Sequence, residues 1–233
     1  MSQVIELVER TILPDLPDTD LPQEDGVPLE SNWHRAQMNL LIDNLTWWWR
    51  DRHDYFTGGN MFIYYSTRQV RNRDYKGPDF FVVKRVDGSF PRQKWVVWEE
   101  DGRYPDVIVE LMSPSTQDED LGSKKQLYEQ TFKTRNYFCY DPDKQQLLGW
   151  RLVEAEYVPI ESDVEGRLWS DQLGASLGLW QGSYQQTSTS WIRLFDEDGV
   201  LIPTEVEAVR HRAEVAEAEL SRLQAELSRL RPE

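Results

Sequence analysis

The first clear pattern of apolar positions along the chain is helical and covers residues 30–52. Apolar residues recur there every three or four positions, namely Met38, Leu41, Ile42, Leu45, Trp48 and Trp49. Ser31 comes just before them and suits the N-cap position, because a serine oxygen can accept a hydrogen bond from a free N–H group of the first turn. The pattern therefore predicts a first helix that is apolar on most sides.

Short runs of β-branched and aromatic residues, separated by turn residues, predict strands after this helix. Four such runs lie at residues 60–66, 79–84, 94–99 and 106–112. The turn residues 100–102 (Glu-Asp-Gly) predict that the last two runs form a hairpin. Helical periodicity returns over residues 121–132, and two further strands are expected at 136–142 and 147–153.

A glycine-containing, β-rich segment over residues 157–195 predicts additional strands on the same core. From Thr204 onward, apolar residues alternate spacings of three and four, which is a heptad pattern. We call these residues the seam: Val206, Val209, Ala213, Ala216, Leu220, Leu223, Leu227 and Leu230. An isolated helix is marginal in water and would expose its leucines, so the seam predicts a coiled coil and a homo-oligomer. Packing back on its own domain is the alternative.

The chain divides into three expected parts. Residues 1–29 are acidic and proline-rich, with four prolines between residues 12 and 29, which favours an extended lead-in. Residues 30–203 form the expected main domain, and residues 204–233 form the coiled-coil tail. A chain of 233 residues with 39% hydrophobic residues is long enough to bury one sizeable core.

Composition restricts the classes of function. No apolar run approaches the ~18 residues of a spanning helix, and the N-terminus lacks the features of a secretory signal, so we expect a cytoplasmic protein without membrane association. A single cysteine (Cys139) and three scattered histidines exclude a cysteine cluster or a histidine-rich zinc site. Of the histidines, His34 is interpreted as a residue on a polar helix face. Any metal would therefore bind to carboxylates.

Two carboxylates stand out for chemistry. Strand alternation places Asp106, Ile108 and Glu110 on one face of an otherwise apolar run. A buried, unpaired Glu110 would be costly, so it needs a cation nearby. With Asp79 on a neighbouring strand, a hard divalent ion such as Mg²⁺ is a natural candidate. The structural alternative is that Asp79 is a turn residue and that Glu110 forms an internal salt bridge with Lys124. For Asp106, a purely structural role at the start of the strand is favoured.

The motifs GPDFFVV, PDVIVELMSPST, DLGSKKQLY and NYFCYDP, in this order, resemble the bacterial putative restriction endonuclease family of the PD-(D/E)XK nuclease superfamily. The resemblance covers residues 30–203. It implies an α/β fold with a mixed central sheet flanked by helices, to which the sequence adds the C-terminal β segment and the coiled-coil helix. It also implies an endonuclease that uses Mg²⁺ or Mn²⁺ to hydrolyse phosphodiester bonds of DNA.

The resemblance also implies roles for individual residues. The family's metal-binding aspartate falls on Asp79 and its glutamate on Glu110. A glutamate on the first helix often assists in the superfamily, and Glu30 is the nearby acid that precedes this helix.

The catalytic lysine departs from the superfamily pattern. The superfamily places it two residues after the glutamate on the same strand, where this chain has Met112. In the resembled family the lysine lies on the following helix, and the spacing D-x-x-x-K-x-x-x-Y places it on Lys124, between Asp120 and Tyr128. Lys125 is the neighbouring alternative. In this family's chemistry Lys124 would stabilise developing phosphorane charge or orient the attacking water.

The charge of the chain leaves two other functions open. The formal net charge is −15, which by itself disfavours a polyanionic partner. Basic residues nevertheless surround Asp79 in sequence and are suited either to phosphate contacts or to a solvated loop: Arg68, Arg71, Arg73, Lys76, Lys84, Arg85, Arg92 and Lys94. The alternatives to a nuclease are a nuclease-fold binding module without cleavage and an oligomeric interaction protein.

Overall fold

The computed structural model describes residues 31–66 and 76–230. Over this part of the chain the helices are α1 (Asn32–Trp48), α2 (residues 117–132) and α3 (Glu205–Leu230), and a short 3₁₀ turn covers Val97–Glu99. The predicted first helix is confirmed, with Ser31 as its N-cap accepting a hydrogen bond from the backbone N–H of His34.

Eleven strands lie within the described residues. They are β1 (Tyr55–Gly58), β2 (Ile63–Tyr64), β3 (Phe80–Lys84), β4 (Trp95–Val96), β5 (Val107–Leu111), β6 (Asn136–Asp141), β7 (Gln146–Val153), β8 (Glu156–Pro159), β9 (Leu168–Ser170), β10 (Ala175–Tyr184) and β11 (Thr187–Phe195). The sequence pattern does not predict β1, because this short segment follows a charged stretch and ends at the pair Gly58-Gly59, which favours a turn.

The central sheet is mixed, as expected from the sequence. In the described part of the chain it has six strands in the order β1-β3-β5-β6-β7-β8, and only the β5–β6 pair is parallel. The predicted neighbourhood of β3 and β5 is confirmed, since Phe80 lies opposite Val109 in an antiparallel register. This register brings Asp79, which directly precedes β3, next to Glu110.

The predicted hairpin around residues 100–102 is wrong. The chain does turn there, with positive φ angles at Asp101 and Gly102. However, Val97–Glu99 coils into the 3₁₀ turn before a ladder can form, and the N–H of Gly102 bonds back to the carbonyl of Val97. The strand β4 pairs instead with β2 in parallel, while β5 lies between β3 and β6. The residues of β5 are buried on both faces of the strand, and a position at the centre of the large sheet provides this burial.

The two faces of the central sheet are covered by different elements. Val107, Val109 and Leu111 pack in a cluster with α1 and with the three-stranded antiparallel sheet β9-β10-β11. Ile108 and Met112 pack in a second cluster, with α2. The predicted flanking helices and the extra strands on the same core are thus confirmed, and Glu110 points to the side on which α2 lies.

The helix α3 begins on the domain and then leaves it. Glu207 and Thr204 form a reciprocal capping box, and Glu207 also forms an ion pair of 2.6 Å with the fully buried Arg193. Beyond this first turn, the seam residues whose side chains are described are exposed. The predicted helix is confirmed, whereas the coiled coil stays a prediction. No helix of the described residues combines the length and the apolar character required to span a membrane.

Candidate active site

Adjacent strands bring the two predicted carboxylates together. The N–H of Leu111 donates to Oδ2 of Asp79 at 2.8 Å, and the N–H of Asp79 lies 3.4 Å from Oε2 of Glu110. Glu110 is fully buried, while Asp79 is partly exposed at the end of the Gly-Pro turn. Asp79 and Glu110 lie side by side because β3 and β5 pair in the register that sets Phe80 opposite Val109.

Lys124 is the lysine that the fold brings to this pair. Its Nζ lies 3.3 Å from Oε1 of Glu110 and 2.8 Å from Oδ1 of Asp120, one helical turn earlier. Lys125 points elsewhere, with its ammonium 3.9 Å from the centre of the Trp150 ring. We call Asp79, Glu110, Asp120 and Lys124 the site cluster. The structural contact considered from the sequence, that of Lys124 with Glu110, is therefore present, and Lys124 also pairs with Asp120.

The helix α2 presents the cluster through an irregular backbone. Its α-helical segments Gln117–Glu119 and Lys125–Leu127 alternate with the π-helical segments Asp120–Lys124 and Tyr128–Phe132. The hydroxyl of Tyr128 donates to Oε1 of Glu110 at 2.8 Å, so one oxygen of Glu110 is held by two donors. Wider π turns occur often at functional sites, because they redirect side chains within a helix.

Sequence reasoning missed His34, which lies beside the cluster. Its Nε2 is 3.2 Å from the carbonyl oxygen of Leu111, and its Nδ1 is 2.8 Å from Oγ of Ser31. The interpretation of His34 as a polar-face residue is wrong, because only 8% of it is exposed. A signal was present in the sequence: His34 shares a helical face with Leu41 and Leu45, seven and eleven positions later.

The electrostatics of the cluster follow from its unequal charges. Two carboxyl groups, those of Glu110 and Asp120, contact the one ammonium of Lys124, and Asp79 lies next to Glu110, all in a largely buried environment. Burial raises the pKa of Glu110 to about 8 despite the opposing effect of Lys124, and burial also raises the pKa of Asp79. Burial would lower the pKa of Lys124, but the carboxylates of Glu110 and Asp120 outweigh it and raise that pKa. Lys124 therefore stays charged, and Glu110 retains a proton near neutral pH.

The cluster fits a hard divalent cation by its chemistry. Asp79 Oδ1 accepts no hydrogen bond from any described residue, and Glu110 Oε2 has only the long contact of 3.4 Å, so each carboxylate keeps an oxygen for a ligand. Across residues 31–66 and 76–230, no group of three or more Asp, Glu, His or Cys side chains is arranged to hold a metal ion. Mg²⁺ needs no such cage, since it takes one or two carboxylates and keeps several waters. A cation would also offset the excess negative charge.

Two other residues singled out from the sequence have structural roles. The buried Met112 fills the apolar cluster under α2, at the position where the superfamily pattern has its lysine. Asp106 accepts a hydrogen bond of 2.8 Å from the N–H of Lys84 and so joins β3 to the start of β5. The structural interpretation of Asp106 is thus supported.

The basic residues near Asp79 are partly accounted for. Arg92 forms an ion pair of 2.6 Å with Glu100 and stacks over the rings of Phe56 and Trp95. Lys84 donates to the carbonyl oxygen of Gln172 at 3.0 Å. These two side chains thus serve the fold. Glu30, Arg68, Arg71 and Arg73 lie outside the described residues.

The raised pKa of Glu110 predicts a pH-dependent stability. In metal-free buffer the folded state holds a proton on Glu110 between its usual pKa of 4.5 and about 8, so the free energy of unfolding falls as the pH rises through this range. In Glu110→Gln, which cannot ionise, this fall should be absent. The difference between the two proteins should change by on the order of 3 to 5 kcal/mol, measured by urea unfolding from pH 5 to 8.5 with a chelator. Parallel curves for the two proteins would contradict the expected protonation.

The fold defines the class of protein. A mixed sheet flanked by helices, with one acid on the central strand β5 and another directly before β3, is the nuclease-like α/β architecture implied by the sequence motifs. A family model described as Uma2, putative restriction endonuclease, matches residues 19–187, and the chain belongs to this family.

The comparison with solved structures found similarity to a putative nuclease belonging to DUF820 from Anabaena variabilis ATCC 29413. The TM-score is 0.45 and the sequence identity 14%, and the match covers 68% of this chain and 86% of that one. No curated protein matches the chain.

Proposed function

We propose that the protein is a metal-dependent endonuclease that hydrolyses phosphodiester bonds of DNA. The observation that carries the proposal is that Glu110 lies against both the backbone N–H of Asp79 and the ammonium of Lys124, in a chain that belongs to a family of putative restriction endonucleases. Glu110 comes from β5, Asp79 from the turn before β3, and Lys124 from α2. Each side chain is held by hydrogen bonds or ion pairs of the fold.

Each residue of the cluster has a definite task in this proposal. Asp79 and Glu110 would hold Mg²⁺ or Mn²⁺ through the oxygens that keep free lone pairs. The ion, when bound, supplies a water of lowered pKa and neutralises charge on the scissile phosphate. Lys124 offers a fixed positive charge for the developing phosphorane or for orienting the water, and such a charge is worth more in a partly dry site than in solvent. Asp120 and Tyr128 position Lys124 and Glu110.

The direct test is DNA cleavage by the purified full-length chain. Supercoiled plasmid should be nicked or linearised with millimolar Mg²⁺ or Mn²⁺ and should remain intact with EDTA. DNA binding that weakens steeply with salt but is never followed by cleavage would instead favour a nuclease-fold binding module. Absence of both binding and cleavage would favour an oligomeric interaction protein.

The structural alternative has specific support, because the ammonium of Lys124 already contacts both Glu110 and Asp120. Calorimetry with Mg²⁺ separates the two interpretations. Under the proposal, the wild-type protein binds the ion and Glu110→Ala binds it much more weakly. Equal binding to both proteins, or no binding to either at millimolar metal, would leave the cluster as a structural ion-pair network.

Self-association through α3 is the second part of the proposal. Leu220, Leu223 and Leu227 are 45% to 63% exposed, and burying one leucine contributes about 1.5 to 3 kcal/mol before ordering costs. We expect the full chain to be oligomeric at micromolar concentration and the double variant Leu220→Glu/Leu227→Glu to be monomeric by light scattering. Val215→Glu is the matched control, because Val215 is an exposed aliphatic residue of α3 outside the seam. A wild-type protein that is monomeric well above micromolar concentration would contradict this part.

A further inference from the structure

Charged residues flank the seam of α3. Their order along the helix favours either a parallel or an antiparallel orientation of a partner helix. With Val206 at heptad position a and Val209 at d, the residues before each a are at g and those after each d are at e. The g residues are Glu205, Arg212, Glu219 and Glu226, and the e residues of the described helix are Arg210, Glu217 and Gln224. These positions lie beside the core of a coiled coil, so their charges select among partners.

The helix leaves these groups available. Beyond its first two turns the described residues of α3 are exposed, including Glu217, Glu219 and Gln224. Arg210 bonds to Glu214 at 3.0 Å and Arg222 to Glu219 at 2.6 Å, both as exposed pairs within the helix. Exposed pairs of this kind contribute little, so re-pairing across an interface costs little.

We propose that α3 pairs with α3 of a second copy of this chain in a parallel, in-register coiled coil. This inference rests on the self-association proposed above and is independent of the nuclease activity. In this arrangement each g residue meets the e residue five positions later on the other copy. Glu205 then faces Arg210, Arg212 faces Glu217, and Glu219 faces the neutral Gln224.

Antiparallel pairing places like charges together. In the antiparallel register that pairs every seam position, the helices are symmetric about residue 218, and e residues meet e residues while g residues meet g residues. Glu217 then faces Glu217 of the second copy and Glu219 faces Glu219, while Arg212 faces Glu226 in two contacts of opposite charge. Like charges in contact destabilise an interface by roughly as much as opposite charges stabilise it. In the antiparallel register the two Arg212–Glu226 contacts only offset the two repulsive contacts, whereas the parallel arrangement forms attractive Glu205–Arg210 and Arg212–Glu217 contacts and no repulsive one among the described residues. Charge complementarity therefore selects the parallel arrangement, which places both globular domains at the same end of the coil.

A cysteine at Ala213 tests the orientation in the full-length protein. In the parallel coil residue 213 lies opposite residue 213, whereas in the antiparallel coil it lies opposite residue 223, too far for a disulfide between the two cysteines. The native Cys139 is buried and gives little background. Under mild oxidation, Ala213→Cys should yield about tenfold more disulfide-linked dimer than Ala218→Cys, whose residue lies on the outer face of the helix.

Charge reversal and rescue give an independent readout. Arg212→Glu should weaken dimerisation about tenfold, since two attractive contacts per dimer become repulsive. The double variant Arg212→Glu/Glu217→Arg restores opposite charges only in the parallel register and should recover wild-type association. Arg222→Glu makes the same charge change outside the interface and is the matched control. Arg212 also lies over the ring of Trp47, and the rescue excludes loss of this contact as the cause.

The outcomes separate the inference from the proposals on which it rests. A wild-type protein that stays monomeric in sedimentation would overturn both self-association and orientation. A dimer that shows equal cross-linking of Ala213→Cys and Ala218→Cys, or no rescue by the double charge swap, would overturn the parallel orientation alone. DNA cleavage is not part of either readout, so a failure of the nuclease proposal is detected separately.

Discussion

Replacement of Glu110 or Asp79 by alanine is expected to abolish DNA cleavage while the protein remains folded. Each substitution removes one of the two carboxylates that would hold the metal, and a bound metal contributes several kcal/mol of transition-state stabilisation. We therefore expect the cleavage rate under single-turnover conditions to fall about 1000-fold or more.

The structure explains why Glu110→Ala should still fold. Lys124 keeps its contact of 2.8 Å with Asp120 when Glu110 is removed, so its buried ammonium is not left without a counter-charge. Loss of Glu110 also relieves the crowding of three carboxyl groups. Circular dichroism and thermal unfolding of each variant check this expectation.

Asp106→Asn is the matched control for both substitutions. Asp106 lies immediately before β5, the strand that carries Glu110, and its carboxylate serves the backbone of Lys84. Asparagine keeps an oxygen acceptor for that hydrogen bond, so cleavage should be unchanged. Cleavage that survives in Glu110→Ala, or that falls equally in Asp106→Asn, would refute the assignment of the metal ligands.

The central strands could be predicted because their sequence signal is local. An uninterrupted apolar run with one glutamate, as in β5, indicates a buried strand and at the same time marks Glu110 as exceptional. Family motifs then added the correspondence of Asp79 and of Lys124. The fold adds the spatial relation of the two acids, because the pairing of β3 with β5 places Asp79 next to Glu110.

One error arose where structure depends on distant contacts, and another where a local signal was not used. The hairpin around Gly102 was inferred from a correct turn, but which strand pairs with β5 is decided by burial on both of its faces. His34 was interpreted from its residue type alone. Its position on the same helical face as Leu41 and Leu45 indicates burial instead. The charge balance of the site required Asp120, Glu110 and Lys124 to be brought together from two elements, and spacing along one of them does not show this.

Substitution of Lys124 by methionine is expected to lower the cleavage rate about 100- to 1000-fold, in line with the loss of one positioned group that stabilises developing charge. Methionine retains most of the apolar stem of lysine without its charge. Because the ammonium offsets part of the negative charge of the site cluster, its loss should also destabilise the metal-free protein. Mg²⁺ should then raise the melting temperature of Lys124→Met more than that of the wild type, since the ion would replace the missing positive charge.

Lys125→Met is the matched control, because it makes the same change on the adjacent residue of α2. The ammonium of Lys125 contacts the ring of Trp150 rather than Glu110, so its removal should leave the cleavage rate within about twofold of the wild type and cost about 1 kcal/mol or less of stability. Two measurements decide the role of Lys124: the single-turnover rate and the melting temperature with and without Mg²⁺. If Lys125→Met loses cleavage and Lys124→Met retains it, the neighbouring lysine is the catalytic one. If both variants cleave normally and only Lys124→Met is destabilised, Lys124 serves the fold as the counter-charge of Glu110 and Asp120.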